Sequence, residues 1–218
     1  MNRTKDRIVD AAVRLFNRSG VGPVTTNHIA ADLEMSPGNL YYHFENKEEI
    51  IRAAFDRMNG LAADVWKIDP ALGPLGLHRM LTGNLALHAR YLFFARELPA
   101  LLRADPVLRR RYRKVHAQRM EQISQTLVPL VALGLLKNAG ADDLEMLIES
   151  AWIIGLFGLP HSELIRQEPI REDILRAARM VMHLFKPYMD RVAYEALLTI
   201  AEAELTAAGE GLPTRRAK

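Results

Sequence analysis

TTNHIAADLEMSPGNLYYHFEN, residues 25–46, decides how the rest of the chain is read. It describes two short helices joined by a tight turn. Thr25 or Thr26 can cap the first helix, its hydroxyl accepting from the free N–H groups of the opening turn. Ile29, Ala30 and Leu33 follow at helical spacing and form one buried stripe. Glu34-Met35-Ser36 makes the turn, and Ser36-Pro37 opens the second helix with a cap and a first-position proline. Asn46 and Glu49 have capping-box spacing and start a third helix. The middle helix, Pro37 to Phe44, is thus about two turns long. Leu40 and Phe44, four apart, can anchor it.

That anchoring turns Pro37, Gly38, Asn39, Tyr41, Tyr42 and His43 outward. Tyr, Asn and His suit recognition better than solubility. Gly38 inside a helix costs about 1 kcal/mol relative to Ala, and close approach of a partner is the usual compensation. Free N–H groups at the helix start suit phosphate oxygens. Together these features describe a helix-turn-helix that reads DNA. The plainer reading is a small helical subdomain whose Tyr-Tyr-His caps a core edge.

Upstream, Ile8, Ala11, Ala12, Leu15 and Phe16 give residues 4–18 one apolar stripe, stopped at Gly20-Val21. This first helix, followed by TTNHIAADLEMSPGNLYYHFENKEEI, resembles the DNA-binding domain of the TetR family of bacterial repressors. SPGNLYYHFENKEE is the most diagnostic part, and the likeness covers about the first sixty residues. Carried over position by position, the resemblance implies that Asn39, Tyr41, Tyr42 and His43 contact DNA from the reader helix. Thr25, Thr26, Pro37, Gly38 and Lys47 would position phosphates. Asn27 would reach a base, or would serve only as a helix-start residue. Many family members carry a basic residue where this chain has Asn27.

The fold class expected is all-α: an N-terminal three-helix DNA-binding domain over 1–46, a linking helix over 47–67, and a larger helical ligand-binding and dimerisation domain over 68–208. Residues 209–218, rich in Gly, Pro and charge, read as a disordered tail. No stretch alternates at period two, so strands are not expected. Within the body, helices are expected over 75–98, from Asp105-Pro106 to about Gly134 with a kink at Pro129, from 140–143 to Gly158 or Leu159, from 169–173 to near Pro187, and over 188–208.

SAWIIGLFGL, residues 150–159, is apolar on every side and so reads as buried on every side. The family resemblance makes it half of a homodimer interface, with Trp152, Ile153, Leu156, Phe157, Ile174 and Met180 as candidates. A central core helix is the alternative. Aromatics and methionines with a few polar neighbours suggest a small-molecule pocket: Trp66, Met80, Asn84, His88, Tyr91, Phe94, Met120 and Trp152. His78, His116 and Gln122 could add polar groups. Singly, each is more often core or surface.

Composition narrows the classes. The 218 residues carry a net charge of +3 and no cysteine, which excludes disulfides, thiolate metal sites and cysteine nucleophiles. In residues 1–60 acidic and basic side chains balance, so the motif and not the charge marks the head. The run Arg109 to Lys114 reads as solvated surface. No signal-peptide core and no membrane-length apolar run is present, so a cytoplasmic protein without membrane contact is expected. No catalytic or phosphate-loop motif occurs, and the histidines lack metal spacing, so neither enzyme activity, metal nor cofactor is expected.

The expected function is a dimeric repressor that binds a palindromic double-stranded DNA operator. A small apolar or amphipathic effector, unidentified by sequence, would release it. A ligand-activated DNA binder or an activator of the same fold is the nearer alternative, and a helical protein-binding adaptor the more distant one.

Overall fold

The computed structural model describes residues 3–66, 73–132, 134, 136–137, 140–166, 170–192 and 194–199. Nine α-helices lie among them: α1 Arg3–Ser19, α2 Thr26–Asp32, α3 Pro37–His43, α4 Lys47–Val65, α5 Gly73–Arg90, α6 Leu92–Ala104, α7 Pro106–Ala132, α8 Ala141–Ile165 and α9 Ile170–Phe185. A 3-10 turn, Lys186–Tyr188, follows α9. Among the described residues the one β-type pairing is the isolated bridge between Leu136 and Met189. The fold is all-α, as expected.

The chain divides into two compact units. The first comprises residues 1–61 and, from further along the chain, 91–113; the second comprises 62–90 and 114–218. The second segment of the first unit is not legible in the sequence. Its basis is a set of contacts between α1 and α6. Phe16 and Phe93 pack with ring centroids 5.2 Å apart. Asn17 Oδ1 accepts from the Phe93 N–H at 2.8 Å, and the Asn17 carbonyl accepts from Arg96 at 2.7 Å. The two hydrogen bonds satisfy the Phe93 N–H at the start of α6 and a carbonyl near the end of α1.

The expected helix over 75–98 is in fact two. It breaks at Tyr91, whose backbone leaves the helical region. Tyr91 is 1% exposed, and its hydroxyl accepts from Arg57 Nε at 3.1 Å. Arg57 also donates to Asp10 at 2.8 Å. Tertiary satisfaction of a buried phenol therefore places the break, with no glycine or proline to announce it. At the other end of the body, α8 runs past the expected stop at 158 or 159, through Pro160, to Ile165. The expected last helix is partly seen: residues 191–192 and 194–199 are helical. Its remainder and the 209–218 tail lie outside the described residues. Helix α7 continues past Pro129 to Ala132.

The loop after α1 is held from two sides. Gly20 has φ +79° and supplies the left-handed stop; a Cβ there would also meet Glu97 Oε1 at 3.2 Å. That same oxygen accepts from the Val21 N–H at 2.7 Å. Lys47 Nζ donates to the carbonyls of Val21 at 2.8 Å and Val24 at 2.9 Å, with the Gly22 carbonyl at 3.4 Å. A charged donor meeting several carbonyls is worth more than neutral hydrogen bonds. Lys47→Ala should therefore lower unfolding free energy by about 1–3 kcal/mol and speed amide exchange in residues 20–25. Unchanged stability and exchange would mean that water satisfies those carbonyls as well.

Asp105 caps α7. Its Oδ1 accepts from the Val107 and Leu108 N–H groups at 2.9 and 3.1 Å, and its Oδ2 from Arg52 at 2.8 Å. Burial pushes its carboxyl pKa up, but the Leu108 bond, Arg52 and the Val107 bond together outweigh that and hold it below the ordinary 3.8. With the folded pKa depressed, the stabilisation is complete above the unfolded-chain value and is lost as pH falls through the lower folded one. Asp105→Asn should flatten that acid limb, and Asp105→Ala should cost about 0.5–2 kcal/mol at neutral pH. Denaturant midpoints across a pH series check both.

Candidate functional site

The surface of interest in the first unit is built from two seven-residue helices. Thr25 is the cap of α2: its hydroxyl accepts from the His28 N–H, and His28 Nδ1 accepts from the Thr25 N–H, both at 3.2 Å. At the far end of α2, the Glu34 N–H donates to Ala31 and the Met35 N–H to Ala30, at 3.1 and 3.0 Å. These two bonds and Glu34 at φ 53° make a Schellman stop without a glycine. Ser36 then caps α3, accepting from the Asn39 N–H at 3.2 Å.

Each helix is fixed by a narrow apolar edge. Ile29 and Ala30 of α2, and Leu40 of α3 with Phe44 just beyond it, are buried. Everything else predicted to read DNA lies on or near the opposite surface. Thr25, Asn27, Pro37, Gly38, Asn39, Tyr41 and Tyr42 are exposed, and Thr26 and His43 are half-buried. Tyr42 is 84% exposed, a large aromatic surface left to water, and its ring meets His43 edge-on at 5.1 Å. The Thr26 and Tyr41 hydroxyls lie 3.0 Å apart and link the two helices. A Cβ on Gly38 would meet nothing within 4 Å, so no packing within the chain requires glycine there.

Lys47, expected to position a phosphate, has partners within the chain. Its ammonium is directed at the loop carbonyls, so a phosphate would have to compete with them. Four arginines of this unit also have carboxylate partners. Arg14 pairs with Asp32 at 2.7 Å, Arg57 with Asp10, Arg52 with Asp105, and Arg111 with Asp56. Arg111 is thus one member of the basic run that has a carboxylate partner. Much of this unit's charge is locally neutralised.

The second unit contains an apolar cavity of about 130 Å³. Five of the eight residues expected there line it: Trp66, Met80, Asn84, His88 and Trp152. Three do not. Tyr91 and Phe94 belong to the first unit's core, where Phe94 stacks on Phe55 at 5.1 Å. Met120 packs instead against the cluster of Leu127, Leu136 and Ile148. Of the additional polar candidates, His78 lines the cavity, whereas His116 packs edge-on against the Trp152 ring and Gln122 accepts from Arg119. The sequence reading missed Thr126, Gly155 and Met182 among others. Apolar lining residues carry no signal that separates them from ordinary core.

His88 is the best-defined polar group of the cavity. Its Nδ1 lies 3.0 Å from the Gly155 carbonyl oxygen. Burial pushes its pKa below the usual histidine value, and the Gly155 bond opposes that only in part.

The expected interface residues separate by face. Leu156 and Ile174 are buried within the chain itself, at 6% and 0% exposure, which leaves little of either side chain for a partner. Trp152 faces the cavity. Ile153 and Phe157 are 49% and 37% exposed, and Met180 of α9 is exposed as well. Helix α8 is therefore not buried on every side within the chain. Its inner side packs closely on α9, where a Cβ on Gly158 would lie 3.3 Å from that of Ala177. Among the described residues no cluster of His, Asp or Glu could hold a metal, and no helix is long and apolar enough to cross a membrane.

Comparison with known proteins matches two family descriptions. "Bacterial regulatory proteins, tetR family" covers residues 8–54, and the TetR "Bacterial transcriptional repressor" family covers 74–197. The biofilm operon icaADBC HTH-type negative transcriptional regulator IcaR of Staphylococcus epidermidis is 38% identical over 52 residues, which is 24% of this chain and 28% of that protein. The HTH-type regulator YerO of Bacillus subtilis is 33% identical over 67 residues, 31% of this chain and 23% of that one. The chain thus spans less than a third of the length of either curated relative. A TetR-family regulator from Marinobacter aquaeolei superposes with TM-score 0.84 at 28% identity, over 92% of this chain and 98% of that one. With both family descriptions matched in their chain order and the fold shared over nearly its full length, the chain belongs to the TetR family of bacterial transcriptional regulators.

Proposed function

We propose that the protein is a dimeric repressor that grips a palindromic DNA operator with α2 and α3 and lets go when a small apolar or amphipathic molecule fills the cavity of the second unit. The observation that carries this reading is the outer face of α3. Gly38 faces open space, and beside it stand Asn39, Tyr41 and Tyr42, side chains with hydrogen-bonding tips and little reason to be in water. Asn pairs with adenine edges, and tyrosine hydroxyls reach phosphates. Because the acids and bases of the head balance, affinity has to come from the placement of these groups.

The regulatory half of the reading rests on α4. This helix runs unbroken from Lys47, just past the α3 anchor Phe44, to Val65, and the next residue, Trp66, lines the cavity. An effector that displaces Trp66 acts at the end of a continuous helix. By linkage, effector and operator must weaken each other by the same factor. Ile153, Phe157 and Met180 form the exposed apolar face proposed to meet a second copy, which supplies the second reader for the other half-site.

Gly38→Ala separates recognition from folding. Alanine is the better helix former by up to about 1 kcal/mol, so melting temperature should stay or rise. Operator affinity, measured on fragments selected from genomic DNA, should fall about tenfold, equivalent to ~1.4 kcal/mol. Undiminished affinity would remove α3 from the interface. Phe157→Arg should give monomers in sedimentation with an unchanged melt and a large loss of operator affinity. A variant that stays dimeric would place the interface elsewhere.

A further inference from the structure

The polar groups of the second unit's cavity are not neutral in their demands. The bond between His88 and Gly155 fixes a tautomer. A carbonyl oxygen only accepts, so Nδ1 carries the hydrogen and Nε2 is left with a lone pair. Thr126 is committed in the same sense: its Oγ1 donates to the Gln122 carbonyl at 2.9 Å and can offer only lone pairs to the cavity. Asn84, and His78, which also lines the cavity, carry both a donor and an acceptor. No Asp, Glu, Lys or Arg is among the described residues that line the cavity.

We propose that the cavity selects an uncharged, ring-sized apolar molecule carrying a hydroxyl or N–H, and that His88 determines this specificity by accepting that hydrogen at Nε2. The volume sets the size. About 130 Å³ is close to the roughly 150 Å³ apolar cavity that holds benzene. The acceptors set the polarity. An ether or ester of the same shape would bring a lone pair against a lone pair and leave His88 unsatisfied. A carboxylate would lose its hydration in an apolar wall whose described residues include no lysine or arginine. Burial pushes the imidazole's pKa below the ordinary histidine value, which favours the neutral form that accepts.

The proposal rests on the cavity being the effector site, but binding can be tested without DNA. Trp66 and Trp152 are the chain's two tryptophans, and both line the cavity. Tryptophan emission of the full chain is followed while cyclohexanol, methoxycyclohexane or cyclohexanecarboxylate is added at neutral pH. All three probes are transparent where tryptophan is excited. Cyclohexanol should bind at least about tenfold more tightly than the ether, and the carboxylate should leave the emission unmoved. In His88→Leu the alcohol and the ether should converge. In His88→Gln, whose amide restores an acceptor, the preference for the alcohol should persist, and this comparison stands even if the leucine variant fails to fold.

An ether that binds as well as the alcohol, a carboxylate that binds, a preference surviving in a folded His88→Leu protein, or no response to any probe overturns the proposal. A separate titration of operator DNA with and without cyclohexanol distinguishes the two readings. Selective binding that leaves operator affinity unchanged ends the effector reading and not the specificity of the cavity.

Discussion

Helix α3 cannot hold itself together. Seven residues are too few to repay the cost of nucleating a helix in water, yet this helix must keep most of its side chains outside the core. Its rigidity is borrowed from three places. Leu40, fully buried, ties it to the core. Ser36 satisfies its first turn, and the Phe44 N–H closes its last on the Leu40 carbonyl. The Schellman stop of α2, with Glu34 in a left-handed conformation, fixes the angle at which it starts. The outer face then carries little packing within the chain: a Cβ on Gly38 would meet nothing within 4 Å, and Tyr42 is 84% exposed.

The first unit extends the same economy. Apolar contact between Phe16 and Phe93 is supplemented by polar ties that span long stretches of sequence: Glu97 to Val21, Arg57 to Tyr91 and Asp10, Arg52 to Asp105. Two of these, Arg57 with Asp10 and Arg52 with Asp105, consume arginines and aspartates in pairs. The head can therefore carry as many acids as bases and still present uncharged hydrogen-bonding groups outward. Partly buried pairs of this kind resist screening better than surface ones, so they give orientation more than attraction.

Helix α8 shows how one apolar helix can serve three surroundings. Trp152 and Gly155 face the cavity, Leu156 and Leu159 are buried among neighbouring helices, and Ile153 and Phe157 are left outside. At 3.6 residues per turn, one step along the sequence turns the side chain by about 100°, so adjacent apolar residues go to different tasks. An all-round apolar sequence says only that no face of the helix is marked for water by its residues. It does not say what each face meets.

The sequence by itself determined the local elements. Caps at Thr25, Ser36 and Asp105, prolines at helix starts and the stripe of α1 are written in adjacent residues, because capping and helical periodicity act over a few positions. The outward set on α3 was legible for the same reason, once Leu40 and Phe44 were recognised as anchors. Tertiary structure alone decided the break at Tyr91, the membership of 91–113 in the first unit, the diversion of Lys47 to loop carbonyls and the sorting of α8 residues among cavity, core and surface. Each of these depends on which distant group satisfies a buried polar atom or meets an apolar side chain. Sequence spacing carries no record of such partners: Arg57 and Tyr91, or His88 and Gly155, become neighbours only when the helices pack.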